Sequence, residues 1–130
     1  RNPLFVAQKS AAITGNGSVV FNTVIENVGN HYNSSNGRFT APVAGYYWFC
    51  VKINAYKRID WHFRRNGSGS GNTNREISQF NTSNQDGWYS HNLIRIFELS
   101  ANDWMEVYVT NIYQNSDPNE WITFQGYLLQ

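Results

Sequence analysis

Several things that would decide the chemistry of this chain on their own are nearly absent from it. Cys50 is the only cysteine among 130 residues, which excludes an intramolecular disulfide framework. It sits inside the run YYWFCVKI, where a thiol reads as a small buried apolar residue with neither an adjacent base nor a bridging partner. Charge is also sparse. Ten Lys and Arg face nine Asp and Glu, and no basic run exceeds the pair Arg64 and Arg65, so the dense cationic footprint that nucleic acid requires is missing. No apolar stretch is long enough to cross a bilayer as a helix, and no leader-like segment opens the chain, so membrane insertion is not expected. A first residue Arg1 in place of Met is what a processed, secreted protein or a trimmed chain would show. With no heptad, collagenous repeat or long linker, residues 1–130 are expected to form one domain. His31, His62 and His91 are isolated from one another and from carboxylates at metal-site spacing. There is no G-x-S-x-G and no glycine-rich phosphate loop, so the chain is read as non-enzymatic with no required cofactor.

Aromatic residues are abundant. Eight Phe, eight Tyr and five Trp are separated by Asn, Ser and Gly, a mixture that suits short strands joined by polar turns. The organising stretch is Gly37–Ala55, GRFTAPVAGYYWFCVKINA. Its alternation places Tyr47, Phe49, Val51 and Ile53 on a core row, with Tyr46, Trp48, Cys50, Lys52 and Asn54 on the other. The second row needs cover at its aromatic start, from a second sheet or from another chain. Before it, PLFVAQKSAAI reads as a first strand and 18–28 as one or two short ones. After it, RIDWHFRRN alternates Ile59, Trp61 and Phe63 against Asp60, His62 and Arg64, the pattern of a strand with one wet face. Further strands are expected at 75–80, 88–99, 104–113 and 121–130, and the whole reads as an all-β sandwich or barrel.

Ligand chemistry is sought where aromatics meet polar groups, because a sugar offers an apolar ring face and a rim of hydroxyls. Trp88 with Asp86, Asn84 and His91, and Trp121 with Asn119 and Glu120, provide both. His62, Arg64 and Arg65 on the wet face of the 59–65 strand would suit an anionic ligand such as an acidic glycan. Four sequons, at Asn16, Asn33, Asn66 and Asn81, lie in loop-like contexts and are candidate glycosylation sites.

The stretch VVFNTVIENVGNHYNSSNGRFTAPVAGYYWFCVKI closely resembles the signature region of the globular head domain of complement C1q, a family that also closes short-chain collagens, adiponectin and the cerebellins. Phe5, the pair Phe21 and Asn22, and Tyr32 with Asn33 fit its pattern. So does the spacing of Gly37, Phe39, Thr40, Pro42, Gly45, Tyr47 and Phe49. Asn66 and Gly67 resemble its hairpin, Leu99, Asp103 and Val107 its L-x-x-x-D-x-V segment, and Phe124, Gly126, Leu128 and Leu129 its closing F-x-G-x-L-L. Asn102 departs from the pattern, which usually has Gly there. The resemblance implies a ten-stranded jelly-roll sandwich of two antiparallel sheets, a homotrimer, and subunit contacts near Tyr46 and Trp48. Relatives can bind calcium through loop oxygens, which makes Asp103 and Asp117 the candidate metal ligands. The function it implies is a secreted, lectin-like recognition protein of innate immunity that binds microbial polysaccharide, lipopolysaccharide or host glycan. The alternative is a structural or receptor-binding extracellular trimer without glycan recognition.

Overall fold

The computed structural model describes residues 2–67, 75–81, 86–113 and 119–130, with strand placement alone for 75–81 and 119–121. The described residues form eleven strands and no helix: β1 (Leu4–Lys9), β2 (Gly17–Val19), β3 (Thr23–Val28), β4 (Tyr32–Asn33), β5 (Arg38–Thr40), β6 (Gly45–Tyr56), β7 (Ile59–Arg65), β8 (Arg75–Asn81), β9 (Trp88–Leu99), β10 (Trp104–Ile112) and β11 (Asn119–Leu128). The first sheet runs β3-β1-β11-β6-β9 and the second β4-β5-β10-β7-β8, with β2 also paired to β10. All pairings are antiparallel. The architecture is the two-sheet jelly roll, and the short β2 and β4 segments account for a count above ten.

The core lies between the sheets and is aromatic. Tyr47, Phe49, Val51 and Ile53 of β6 are fully buried, as the alternation predicts, and face Ile59, Trp61, Phe63, Met105, Val107 and Val109 of the second sheet. Phe5 is stacked between Tyr32 and Phe39, with ring centres 4.8 and 5.0 Å away, and meets Phe124 edge-on at 4.8 Å. Such offset and perpendicular pairs add about 0.5–1.5 kcal/mol each beyond burial. The polar ends of these rings are bonded rather than stranded: Tyr32 Oη donates to Phe21 O at 2.8 Å and Tyr47 Oη to Val43 O at 2.7 Å. Burial pushes the Tyr32 hydroxyl far above its ordinary value, against the opposing pull of that bond. Gly126 is required by close approach, because a Cβ there would lie 2.6 Å from the Phe49 ring and 2.8 Å from Trp48 O.

Asn102 has φ 74°, the left-handed conformation for which glycine is the usual residue and asparagine the next most tolerant. The departure from the family pattern therefore preserves the turn.

Candidate functional site

Two surface features stand apart from the core. The first is at the end of the sandwich where β6 turns into β7, β9 begins and β10 ends. β6 and β9 pair along their full length, which sets Tyr56 opposite Trp88. Their rings meet at 74° with centres 5.5 Å apart, and Tyr113 follows at 6.4 Å from Tyr56. Trp88 is 50% exposed and Tyr113 52%. Lys57, in the left-handed turn at φ 58°, places Nζ 3.1 Å from Asp86 Oδ1. Asp86 also accepts from the Tyr56 hydroxyl, and Lys57 reaches the Tyr113 hydroxyl. The Asp86 carboxyl is held below its ordinary value, chiefly by the Lys57 bond and then by Tyr56, while the bond to Asp86 raises Lys57. Chemically, the cluster offers aromatic faces beside a carboxylate and an ammonium.

The second feature is the outer face of the first sheet. Tyr46 is 56% exposed, Ile94 52%, Ile96 51% and Tyr127 42%, and Trp48 is half-buried beside Tyr127. The register aligns them in rows: Trp48 lies between Ile96 and Tyr127, and Cys50 between Ile94 and Gln125. A shallow depression of about 200 Å³ lined by Leu4, Val6, Trp48 and Tyr127 continues the surface toward β1. The second sheet covers the opposite row of β6, so nothing among the described residues covers Tyr46. Cys50 is buried in this face, and burial raises its thiol above the ordinary value.

The sequence-derived site residues divide sharply. Asp86 and Trp88 come together, joined by Tyr56, Lys57 and Tyr113, which sequence reasoning missed. Two 12-residue strands of equal length, paired end to end, would have put Tyr56 against Trp88. His91 lies on the opposite row of β9 from Trp88, with its ring 5.8 Å from buried Trp61, so it does not share that cluster. The expected wet face of β7 is corrected. His62 is 3% and Arg64 9% exposed, because the register sets Tyr108 and Glu106 of β10 beside them. Arg64 stacks 4.1 Å above Tyr108 and pairs with Glu106 at 3.9 Å. Arg65 turns to the other row, donating to Glu98 O at 3.1 Å. Side chains of Asn119, Glu120 and Trp121, and all of Asn84 and Asp117, lie outside the described residues.

Asp103 is committed to the fold: Oδ1 accepts from Asn66 Nδ2 at 2.9 Å and Oδ2 from Ser100 N at 2.8 Å. Among the described residues no group of three His, Cys, Asp or Glu side chains comes together to hold a metal. Of the sequons, Asn66 is tied in by both side-chain ends, since its Oδ1 also accepts from Trp104 N at 2.9 Å. Asn33 is exposed, with Oδ1 accepting from Ser35 N and the Ser35 hydroxyl. Asn16 is exposed, and the Asn81 side chain lies outside the described residues.

Comparison with known proteins agrees with this architecture. The C1q domain model matches residues 4–129. The mouse complement C1q tumor necrosis factor-related protein 3 is 26% identical over 117 residues, which are 88% of this chain and 45% of that protein, so the chain spans less than half of this relative. Among solved structures, the globular domain of zebrafish complement 1qA protein superposes with a TM-score of 0.79 at 15% identity, covering 100% of this chain and 98% of that one. Murine APRIL superposes with a TM-score of 0.79 at 10% identity, covering 99% and 100%. Eiger TNF from S. frugiperda gives 0.75 at 14%, covering 99% and 93%. At these identities the superpositions establish the fold, and the family match adds the lineage: the chain belongs to the C1q domain family.

Proposed function

We propose that the chain is a secreted, non-enzymatic recognition head, folded as one domain, that assembles as a homotrimer and binds glycans on microbial surfaces in innate defence. The observation that carries the reading is the exposed cluster of Tyr56, Trp88 and Tyr113 around the Lys57–Asp86 pair. Half-exposed rings next to hydrogen-bonding charges are suited to stacking a sugar while holding its hydroxyls. Assembly is supported by the apolar outer face of the first sheet, which is too contiguous to be ordinary surface. Three weak sites on one trimer add their effects by raising effective concentration. Burial of His62 and Arg64 weighs toward neutral or mixed-charge glycans over polyanions.

A glycan array carrying bacterial polysaccharides and lipopolysaccharide tests the reading. Binding that Trp88→Ala weakens is expected, and an empty array would sink it. Light scattering should give three times the chain mass, falling to one chain in Ile96→Arg, because a buried guanidinium without a partner splits the interface. A second reading, a structural or receptor-engaging extracellular trimer, is favoured by the relative named for tumor necrosis factor and by the superposition on murine APRIL and Eiger TNF. It predicts the same mass and an empty array.

A further inference from the structure

At the end cluster an ammonium group is already in place. Lys57 Nζ lies 4.6 Å from the centre of the Tyr113 ring and 5.9 Å from that of Tyr56, with Asp86 Oδ1 at 3.1 Å. Trp88 stands nearly perpendicular to Tyr56, with ring centres 5.5 Å apart. Ring faces carry the negative side of the aromatic quadrupole, so rings plus a carboxylate make an environment selective for cations. We propose that Tyr56, Trp88, Tyr113 and Asp86 form a binding site for an organic ammonium group, as borne by an amino sugar or a choline-substituted surface polymer, and that Lys57 fills it in the free protein. The inference rests on the reading of this cluster as the ligand site and narrows the ligand to one with a cationic substituent.

Exchange of Lys57 for an outside cation is open on the Asp86 side, whose side chain is 82% exposed, and requires the Lys57 side chain, 18% exposed, to swing out of the cluster. The frame does not depend on the lysine side chain, because the three segments are tied through their backbones: Lys57 N donates to Gly87 O at 3.0 Å and Tyr113 N to Arg58 O at 2.9 Å. A quaternary ammonium is also broader and more weakly hydrated than a lysine head. It can touch several rings at once, where the lysine sits near the outer limit of useful range from Tyr56.

The full chain is titrated with tetramethylammonium chloride, choline chloride and D-glucosamine hydrochloride, each against sodium chloride at equal ionic strength, and with D-galactose as a neutral hexose. The readout is the NMR shift of the Trp88 indole, identified by its loss in Trp88→Ala. At least one organic cation is expected to give a saturating shift that sodium chloride does not; choline and glucosamine separate a quaternary from a primary ammonium. Lys57→Gln should bind that cation about fivefold more tightly, since the internal competitor is gone. Asp86→Asn in the Lys57→Gln background should lose that gain. A lysine that only braces the turn would leave binding unchanged or weaker on removal, so absence of tightening overturns the proposal, as does absence of any cation shift in both proteins. Saturation by galactose alone makes the cluster a plain sugar-stacking site, which ends the ammonium proposal and leaves the glycan reading standing. Cation binding with an empty glycan array does the reverse.

Discussion

The two outer faces of the sandwich invert the usual relation between polarity and exposure. On the first sheet, Tyr46, Ile94, Ile96 and Tyr127 are apolar and open to solvent. On the second, His62, Arg64 and Glu106 are charged or polar and almost wholly buried, with Arg64 lying over Tyr108 and beside Glu106. A charged row normally marks the surface and an apolar row the core. Here Arg64 and His62 meet Glu106 and Tyr108 of β10, whereas the apolar row finds no cover among the described residues. Composition states what an atom prefers; strand register decides whether that preference is met at home or by a partner.

The largest effect that tests this contrast comes from adjacent residues of β6. Phe49→Ala empties a site in contact with Phe63, Phe97 and Phe124 and should cost about 3–5 kcal/mol, a large part of the 5–15 kcal/mol typical of a domain. Trp48→Ala, one residue away on the outer row, should cost about 1 kcal/mol when measured in the monomeric Ile96→Arg background, while weakening assembly in the native one. Equal costs in urea unfolding would mean that the outer row is already covered within the chain. On the second sheet the sharper test is Glu106→Ala. It leaves Arg64 buried without its carboxylate and should cost about 3 kcal/mol, with Glu106→Gln intermediate because it keeps a hydrogen-bonding oxygen. A loss below about 1 kcal/mol would show that the pair, at 3.9 Å, is not what neutralises this face.

The same contrast explains how much was legible beforehand. The fold was readable because core rows announce themselves by alternation: Tyr47, Phe49, Val51 and Ile53, then Met105, Val107 and Val109, all fall where period two puts them. The residues that carry the family pattern, Phe39, Tyr47, Phe49 and Phe124, are core residues for the same reason. The wet face assigned to β7 failed because alternation distinguishes side-chain types and cannot show that Glu106 and Tyr108 arrive beside Arg64 and His62. The end cluster was half visible. Asp86 and Trp88 are close in sequence, but Tyr56, Lys57 and Tyr113 come from two other turns and meet them only through the pairing of β6 with β9 and the backbone tie from Tyr113 to Arg58. His91 is close to Trp88 in the chain, but an odd spacing along a strand sends it to the opposite face.

Acid should act on one side of this contrast and not on the other. The Asp103 carboxyl is held below its ordinary value of 3.8 mainly by the Asn66 side chain, with a smaller contribution from Ser100 N, and it ties the turn after β9 to the end of β7. A carboxyl with a lowered folded-state value stabilises the fold fully above the unfolded value, and the contribution is lost as pH falls through the folded one. Thermal stability should therefore hold steady from neutral pH to about 5 and fall below about 4. Asp103→Asn should lower stability by about 1 kcal/mol at neutral pH, roughly 3–5 °C in Tm, and flatten the acid limb. Among the described residues the rows of the apolar outer face carry carboxylates only toward their edges, Glu98 opposite Tyr46 and Glu26 opposite Val6. Assembly measured by light scattering should thus survive acidification as long as the chain stays folded. Dissociation well above the unfolding pH would show that the flanking carboxylates Glu26 and Glu98, rather than the apolar rows, govern assembly.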